Sequence, residues 1–521
     1  MAIIVGALVA GAMLTLLVTA ATGAGTGWGL GEPYIWRAVR FTLLQAGLST
    51  VLSVGLAFPV ARALARRSCF PGRRLIIGLM SIPLALPALV AVFGILAVFG
   101  RAGWLARGLA PVWADAVPPL YGLTGILLAH VFFNQPFAVL LLLARLEAIP
   151  GETWRLAAQL GFGPGAVLRL VEWPAVRPML PGVAAIVFLI CVTSFTIVLT
   201  LGGGPAATTL EVAIYQALRF DFDPQRAVIL ALLQMLLCLT LILLLRGAGG
   251  SSLFMPGIGR ATVRPDIVGT AGQGLDAAIL GAATLFVSLP LLAVALAGLS
   301  APISSLLTEP VVWRAIVTSL AIATAAGLLS MGAAWLLVIA GRDEGATGER
   351  ARLLTGGGSV LLVVPPFVIG AGWFLALNHV GLAFALAPLA LVLINATMAL
   401  PYAARILTAA DSASARDHHR LCASLGIRGW ARFRLIDWPL MARTFAFAGA
   451  LCAALSVGDL GIAALFGSER LVTLPLLLQQ RMGSYRSADA AGLALLLAML
   501  CLLLFVTGDW LARFTGMRRD A

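Results

Sequence analysis

The chain has 521 residues, of which 61% are hydrophobic and 11% are charged, and its mean hydropathy is +1.01. A soluble domain carries roughly 25% charged residues, so this composition excludes a soluble globular protein and predicts one that crosses a membrane many times. The net charge of +13 comes from arginines scattered between apolar segments, and we therefore expect no nucleic-acid partner.

Twelve apolar segments are long enough to span a bilayer. A helix needs about 20 mostly apolar residues to cross a hydrocarbon core of roughly 30 Å, and its backbone groups must be paired within the segment. We therefore predict an all-α polytopic membrane protein with about twelve transmembrane helices, at residues 2–22, 39–61, 75–99, 120–144, 179–201, 227–245, 275–299, 313–340, 355–377, 382–407, 444–466 and 490–512.

The basic residues lie unevenly on the two sides of these spans. If the N-terminus is cytoplasmic, most of the 35 basic residues fall on the cytoplasmic side, in clusters such as 62–74 and in the tail at 518–519. This is the positive-inside bias. Because the number of spans is even, it predicts that the N- and C-termini are both cytoplasmic.

The absence of lysine and the spacing of the cysteines exclude two kinds of site. A Walker A loop needs a lysine on the nucleotide phosphates, and every basic residue here is arginine. The six cysteines show no CxxC or metal-ligand spacing, so we expect no disulfide framework, no metal and no cofactor. The sequence therefore predicts no enzymatic centre and no ATPase of its own.

One basic segment between spans recurs 265 positions later. RLAAQLGFGPGAVLRLVEWP at 155–174 aligns without a gap with RLCASLGIRGWARFRLIDWP at 420–439, and ten of the twenty residues are identical. A second match, 277 positions apart, pairs the start of the second span at Trp36 with that of the eighth at Trp313. The repeats predict two parallel halves of six spans each, at 1–246 and 275–521, joined by a cytoplasmic linker at 247–274.

Each repeated segment has a fixed glycine, followed by Trp-Pro. Glycine permits a backbone reversal that other residues resist, and proline favours the first turn of a helix. The pattern predicts two short helices joined at Gly161 in the first loop and at Gly426 in the second. A loop needed only for membrane insertion requires basic residues but no fixed Gly, Trp and Pro, so a docking surface is favoured over a purely topogenic loop.

The repeated pattern resembles the EAA loop of ATP-binding-cassette importer permeases. The first copy is Ala-Ala-x-x-Gly-x9-Val-x-Trp-Pro from Ala157, and the second is Cys-Ala-x-x-Gly-x9-Ile-x-Trp-Pro from Cys422. The EAA pattern has an acidic residue just before these two positions, where both copies have leucine instead. The resemblance implies a type I importer fold, with EAA loops at about 147–178 and 408–443 that couple to a separate ATPase. The residues that would do so are Leu156, Ala157, Ala158, Gly161, Trp173, Pro174, Leu421, Cys422, Ala423, Gly426, Trp438 and Pro439.

Two EAA loops in one chain are typical of fused permeases, chiefly those for ferric iron and thiamine. Four further stretches are similar to the thiamine permeases: VFGILAVFGRAGWLA at 92–106, YGLTGILLAHVFFNQPFA at 121–138, LGGGPAATTLEVAIYQAL at 201–218 and GSYRSADAAG at 483–492. This similarity implies a multi-pass protein of the bacterial inner membrane that translocates thiamine, with thiamine phosphates left open.

The same resemblance implies the partners. They are two copies of an ATP-binding-cassette ATPase subunit, a periplasmic thiamine-binding protein and the lipid bilayer, while the single fused chain supplies both permease halves. The alternatives are a ferric iron permease of the same class and an ion-coupled secondary transporter. The second would need several acidic residues within spans, and this chain offers essentially Asp459.

Four polar residues within spans are candidates for the transport pathway. An ionisable residue such as Asp459 costs at least about 2.5 kcal/mol in a bilayer unless it is paired or hydrated. Either it borders the pathway and favours a cationic solute, or it is bonded locally. For His130, Asn134 and Asn395, hydrogen bonds across helices are favoured over substrate contact.

Two segments on the non-cytoplasmic side, 201–226 and 466–488, correspond in the two halves. Each has a glycine turn, a Thr-Leu pair and an aromatic-polar run before the next span. Their lengths suit surface helices on which a binding protein docks; re-entrant connections are the alternative.

Overall fold

The computed structural model describes residues 2–22, 31–109, 120–247, 269–343 and 364–517, and these form helices joined by short turns, with no strand among them. Up to residue 247 the helices are α1 (Ala2–Thr22), α2 (Pro33–Arg66), α3 (Arg73–Ala85), α4 (Ala88–Phe99), α5 (Trp104–Leu109), α6 (Leu123–Glu147), α7 (Gly151–Gln159), α8 (Pro164–Val167), α9 (Trp173–Val176), α10 (Leu180–Val192), α11 (Phe195–Leu201), α12 (Leu210–Arg219) and α13 (Pro224–Gly247).

From residue 270 they are α14 (Thr270–Leu299), α15 (Ile303–Thr308), α16 (Pro310–Asp343), α17 (Pro366–His379), α18 (Ala387–Ser424), α19 (Gly429–Arg432), α20 (Trp438–Val457), α21 (Gly461–Phe466), α22 (Leu474–Gly483) and α23 (Ser487–Met517). The all-α fold is thus confirmed. Most of the predicted linker lies outside the described residues, as do 110–119 and 344–363.

Nine helical segments of the described residues are long and apolar enough to cross a membrane, and a bent pair at 164–192 adds a tenth if it is one span. The nine are Pro33–Arg66, Ala88–Gly108, Leu123–Glu147, Pro224–Leu244, Gly272–Leu299, Pro310–Arg342, Ala387–Asp411, Gly429–Val457 and Ser487–Gly508. The first predicted span corresponds to a shorter apolar helix, Gly6–Thr22. The ninth lies partly outside the described residues, and α17 is its described part.

Three predicted spans are each divided into two helices. In span 75–99 the division falls at Leu86-Pro87, where both residues have a non-helical ψ of 134°. Proline disfavours the helical conformation of the residue before it, which explains this break. The other two divided spans, 179–201 and 444–466, are equivalent to each other in the repeat. Their divisions fall at 193–194 and 458–460.

The helices pack into two compact units whose membership does not follow the order of the chain. The amino unit comprises Glu32–Ala213 and Leu236–Leu296, and the carboxyl unit comprises Met1–Gly31, Ile214–Met235 and Ala297–Ala521. The first helix of each predicted half therefore belongs to the unit built mostly from the other half. The predicted domain boundaries concern the sequence repeat and stay a prediction.

In the amino unit, α2 packs against α6 and α10, and α14 lies close to α4. A Cβ on Gly94 would lie 2.4 Å from the carbonyl oxygen of Pro290, so only glycine permits this approach. The ring of Phe286 from α14 also packs against Phe132, with 6.3 Å between centroids.

In the carboxyl unit, α1 packs against α17. The Trp373 Nε1 donates to the carbonyl oxygen of Leu8 at 2.9 Å, and a Cβ on Gly372 would lie 2.6 Å from the carbonyl oxygen of Ala12. The helices α16, α18, α20 and α23 form the rest of the bundle, with Trp335 and Phe445 in contact at 5.0 Å between centroids.

A hydroxyl anchors the helix that follows each glycine turn on the predicted periplasmic side. Thr42 Oγ1 accepts the backbone N–H of Leu210 at 3.0 Å, and Ser319 Oγ accepts that of Leu474 at 2.8 Å. Thr42 and Ser319 are 277 positions apart, as in the sequence repeat. The side chains of 210–213 and 474–478 are buried. The prediction of surface helices is therefore wrong for the starts of α12 and α22, because each first turn is held inside its unit.

Candidate functional site

The two repeated loops reverse the backbone in the same way. Gly161 has φ of +65° and Gly426 has φ of +68°. The N–H of Phe162 donates to the carbonyl oxygen of Ala157 at 3.0 Å, and the N–H of Ile427 donates to that of Cys422, also at 3.0 Å. This is the left-handed helix ending that favours glycine, so the predicted break at each glycine is confirmed.

The helix before the glycine differs between the copies. In the first loop, α7 is a separate helix of nine residues that starts after Pro150. In the second, α18 runs for 38 residues from the membrane span into the loop. The prediction of two short helices is therefore wrong for the second copy. The position equivalent to Pro150 is Ala415, and alanine provides the N–H donor that proline lacks.

The motif residues alternate between buried and exposed positions. Ala157 is 1% exposed and Cys422 is 2% exposed, so the first alanine position of each copy faces its own unit. Leu156, Leu160 and Leu425 are 56%, 60% and 63% exposed. Exposed large apolar side chains grouped in a basic loop mark an interaction surface. For Leu421 and Ala423 the structure describes the backbone, which is helical.

A π-helical turn precedes Trp-Pro in both copies, at Leu168–Glu172 and at Phe433–Asp437. Pro174 and Pro439 have no N–H, so neither can donate a hydrogen bond to a carbonyl oxygen in the turn before it. The residue before each proline donates to a carbonyl oxygen five residues back: Trp173 to that of Leu168, and Trp438 to that of Phe433. Trp173 and Trp438 are 43% and 45% exposed.

In the first copy the last residue of this turn is a buried acid, and it is paired with an arginine from a long helix. Glu172 is fully buried, and its Oε2 lies 2.5 Å from the Nε of Arg62 near the end of α2. The same guanidinium donates from Nη2 to the carbonyl oxygen of Pro164 at 3.1 Å. Arg62 thus joins α2 to both ends of the segment after the glycine.

In the second copy Arg342, near the end of α16, takes the same role. Its Nη1 lies 2.8 Å from the Oδ2 of Asp437, and its Nε donates to Asp411 Oδ1 on α18 at 3.1 Å. The guanidinium also lies over the ring of Trp335, 4.8 Å from the centroid. Arg432 approaches Asp437 at 3.6 Å. One guanidinium thus joins three helical segments.

Sequence analysis missed Arg62, Arg342 and Asp411. Arginines at span ends were interpreted as topogenic charges, which is the usual role of such residues. The signal that could have found them is the acid kept at one position of both repeats, Glu172 and Asp437, because a buried carboxylate needs a cation nearby.

Within the amino unit, two of the predicted pathway residues form hydrogen bonds across helices. His130 Nδ1 lies 2.9 Å from the Ser49 hydroxyl, and Asn134 Nδ2 lies 3.2 Å from the sulfur of Cys191. His130 Nε2 has no hydrogen-bond partner among the described residues. A role for these side chains in transport stays a prediction.

The other two, Asn395 and Asp459, lie in the carboxyl unit. Asn395 Nδ2 donates to Ser456 Oγ at 2.9 Å, and Ser456 is the repeat equivalent of Cys191. Asp459 stands in the break between α20 and α21, where its Oδ1 accepts the N–H of Gly461 at 3.0 Å. Its Oδ2 is buried without a hydrogen bond from any described residue. A local hydrogen bond thus engages Oδ1 of Asp459, while Oδ2 accepts no hydrogen bond from a described residue.

Comparison with known proteins gives one consistent family. The profile of the family described as binding-protein-dependent transport system inner membrane component matches residues 348–518. The chain is 48% identical over 517 residues to the thiamine transport system permease protein of Brucella abortus (strain 2308), covering 99% of this chain and 94% of that protein. The corresponding proteins of Salmonella typhimurium and Escherichia coli (strain K12) are each 44% identical, over 502 residues (95% and 92% covered) and 481 residues (91% and 88% covered).

The Arg342 cluster gives a stability prediction. Arg342→Ala leaves Asp411 and Asp437 buried without their shared guanidinium, and breaking a buried ion pair from one side costs roughly 3–5 kcal/mol. We expect a clearly lower unfolding temperature of the purified chain in detergent. Arg434→Ala is the matched control, because Arg434 lies in the same π-helical turn but is exposed. Equal unfolding temperatures for the two variants would contradict a stabilising role of the cluster.

Proposed function

The chain belongs to the family of thiamine transport system permeases, and we propose that it carries thiamine across the bacterial inner membrane as the permease of an ATP-binding-cassette importer. The observation that carries this assignment is the 48% identity over 94% of a relative named for thiamine transport. The full-length relatives do not favour the ferric iron alternative. Membership in a binding-protein-dependent family argues against an ion-coupled secondary transporter.

The chain is a multi-pass transport subunit of the inner membrane rather than an enzyme, and its energy must come from a partner. It has no lysine for a Walker A loop, so ATP hydrolysis is assigned to a separate ATPase. The presence of two loops with the same glycine reversal and the same π-helical turn supports two ATPase copies, one for each loop. The family description supports a periplasmic binding protein that delivers thiamine.

The repeated loops are the surfaces on which we place the ATPase. Leu156 and its neighbours supply exposed apolar side chains, while Ala157 and Cys422 face the permease. Glu172 is tied to Arg62 on α2, and Asp437 is tied to Arg342 on α16. When the ATPase subunits close on ATP, movement of each loop is therefore transmitted to a long membrane helix through a buried ion pair.

The topology proposed for this machine follows from the position of the loops. Since the ATPase is cytoplasmic, both loops and the basic clusters lie on the cytoplasmic side, and both termini lie there as well. The permease halves are 1–246 and 275–521, with 247–274 between them. The duplicated loops and the paired hydroxyls of Thr42 and Ser319 support this division.

The turns after α12 and α22 are where we place the binding protein. Phe222 is 80% exposed with φ of +52°, and Tyr485 is 95% exposed with φ of +58°. A bulky residue rarely adopts this left-handed conformation, and such strain concentrates at functional surfaces. Exposed aromatic side chains are also the residues that most often anchor protein interfaces.

Asp459 is the residue that we assign to the solute. Its Oδ1 is held by Gly461, and its buried Oδ2 has no hydrogen bond within the described structure. A buried carboxylate oxygen that accepts no hydrogen bond favours a cation, and the thiazolium ring of thiamine carries a positive charge. We propose that this oxygen borders the transport pathway.

Uptake in proteoliposomes tests the transported substrate. The permease, its ATPase and the binding protein are reconstituted with radiolabelled thiamine, with and without ATP, and with excess ferric complex as competitor. We expect ATP-dependent uptake that the ferric complex does not reduce. Uptake of iron but not of thiamine would contradict the thiamine assignment. Uptake at the same rate with and without ATP would contradict the assignment of an ATP-driven importer.

Leu156→Arg tests the coupling surface. A buried leucine contributes roughly 1.5–3 kcal/mol, so replacing it with a charge should weaken ATPase binding about tenfold or more without unfolding the chain. The matched control is Val380→Arg, at a residue that is 62% exposed but outside both loops. The measurement is ATPase affinity for the purified permease. Equal affinity for Leu156→Arg and wild type would remove this residue from the interface.

Asp459→Asn tests the pathway assignment. The amide keeps the size of the side chain and an acceptor for Gly461 but removes the negative charge. We expect slower thiamine uptake at low substrate concentration, because the cation loses its electrostatic partner. Stimulation of ATPase activity by the binding protein should be retained and serves as the control for folding and coupling. Normal uptake at low thiamine would leave Asp459 with a local structural role.

A further inference from the structure

The second repeated loop carries an exposed tryptophan that has no counterpart in the first. Trp430 follows the reversal at Gly426 and is 73% exposed. The equivalent position of the first loop is Gly165. A Cβ built on Gly165 meets no atom within 4 Å, so packing does not require a glycine there. The two loops therefore share a backbone reversal and differ in the surface that follows it.

Trp430 packs on a ring that is itself supported by the core of the carboxyl unit. The ring centroids of Trp430 and Phe433 are 5.2 Å apart, and the planes are inclined by 30°. Phe433 contacts Trp335 at 5.8 Å and Phe445 at 6.2 Å between centroids, and both of these side chains are buried. The exposed ring is thus the outer member of an aromatic cluster that begins in the core.

The first loop has a smaller aromatic contact at the equivalent place. Phe58, the repeat equivalent of Trp335, packs edge-on against Trp173, with 6.2 Å between centroids. Leucine stands at positions 168 and 180, which correspond to the two phenylalanines of the second cluster. Of the two loops, only the second has both an exposed tryptophan and the ring that supports it.

This support makes the exposed ring suitable for binding. Ordering a side chain is one of the costs of association, and a ring that already packs against a fixed neighbour loses less freedom. Tryptophan is among the residue types that most often dominate the energy of an interface. Most of the surface of Trp430 makes no contact with the carboxyl unit, so it remains accessible to a partner.

The position of Trp430 in the loop identifies the partner as the ATPase. It lies between the glycine reversal, which the exposed Leu425 precedes, and the π-helical turn. The loop is attached to its unit through Asp437 and Arg342. Because the first loop is attached in the same way with glycine at the equivalent position, the tryptophan is not needed for this attachment.

The second loop is also connected more directly to a membrane span. Its helix before the glycine, α18, runs without a break from the span into the loop, whereas α7 of the first loop begins after Pro150. A continuous helix restricts the movement of the loop relative to the span. The surface of the second loop is therefore the more preorganised of the two, which favours tighter binding.

We propose that the second loop binds its ATPase subunit more tightly than the first loop does, with Trp430 as the additional anchor. This inference rests on the ATPase role proposed above. A single chain with two unlike loops then fills its second loop first, and binding at the first loop completes the complex.

Titration of the purified full chain with its ATPase subunit in detergent tests this inference, with the bound copies counted by native mass spectrometry. For wild type we expect one tight and one weaker binding step. Trp430→Ala should weaken the tight step about 30-fold, which corresponds to the roughly 2 kcal/mol of a residue that dominates an interface. Leu156→Arg, in the first loop, should weaken the other step and leave the tight one unchanged.

Two further variants separate recognition from a general disturbance of the loop. Trp430→Phe keeps an aromatic ring next to Phe433 and should retain most of the affinity. Trp313→Ala removes an exposed tryptophan of α16 that lies outside both loops, and it should bind the ATPase as wild type does.

Hydroxyl-radical footprinting in lipid nanodiscs distinguishes the ATPase from the bilayer as the partner of Trp430. We expect oxidation of Trp430 in the permease alone and protection when the ATPase is added. Protection by the bilayer alone, two equal ATPase affinities in wild type, or wild-type binding by Trp430→Ala would overturn the inference while leaving the ATPase as a partner. No ATPase binding by wild type would contradict the proposed function itself.

Discussion

The position of each repeated loop depends on a buried carboxylate that cannot be left unpaired. Glu172 and Asp437 lie at the last residue of a π-helical turn, and each is held by an arginine near the end of a long helix. Because an isolated charge costs several kcal/mol in a low-dielectric interior, loop and helix are constrained to stay together.

The two units solve the same packing problems with different side chains. A hydroxyl anchors the start of the helix after the glycine turn in both, from Thr42 to α12 in one and from Ser319 to α22 in the other. A polar pair joins the fourth span of each half to the fifth, through Cys191 in one unit and Ser456 in the other. What the repeat keeps is therefore the acceptor position of each hydrogen bond, while the chemical group at that position varies. The donors of the polar pair are not equivalent, because position 134 corresponds to Ala399 and position 395 to His130.

Two proposed tasks fall on different residues. The repeated loops carry the exposed apolar side chains on which we place the ATPase, and buried ion pairs connect these loops to α2 and α16. Asp459 lies in a break between two helices, and we propose that its second carboxylate oxygen borders the transport pathway.

The sequence by itself determined the all-α membrane fold, the approximate spans, the reversal at Gly161 and Gly426 and the family, because apolar length, glycine and motif spacing are local properties. Only the tertiary structure decided the partners of Arg62 and Arg342, since each carboxylate in the repeated loops comes from 110 or 95 positions away. It also decided that α1 and α14 each join the unit formed mainly by the other half. The apolar composition of a span is the same whichever helices it packs against, so its sequence does not specify which unit it joins.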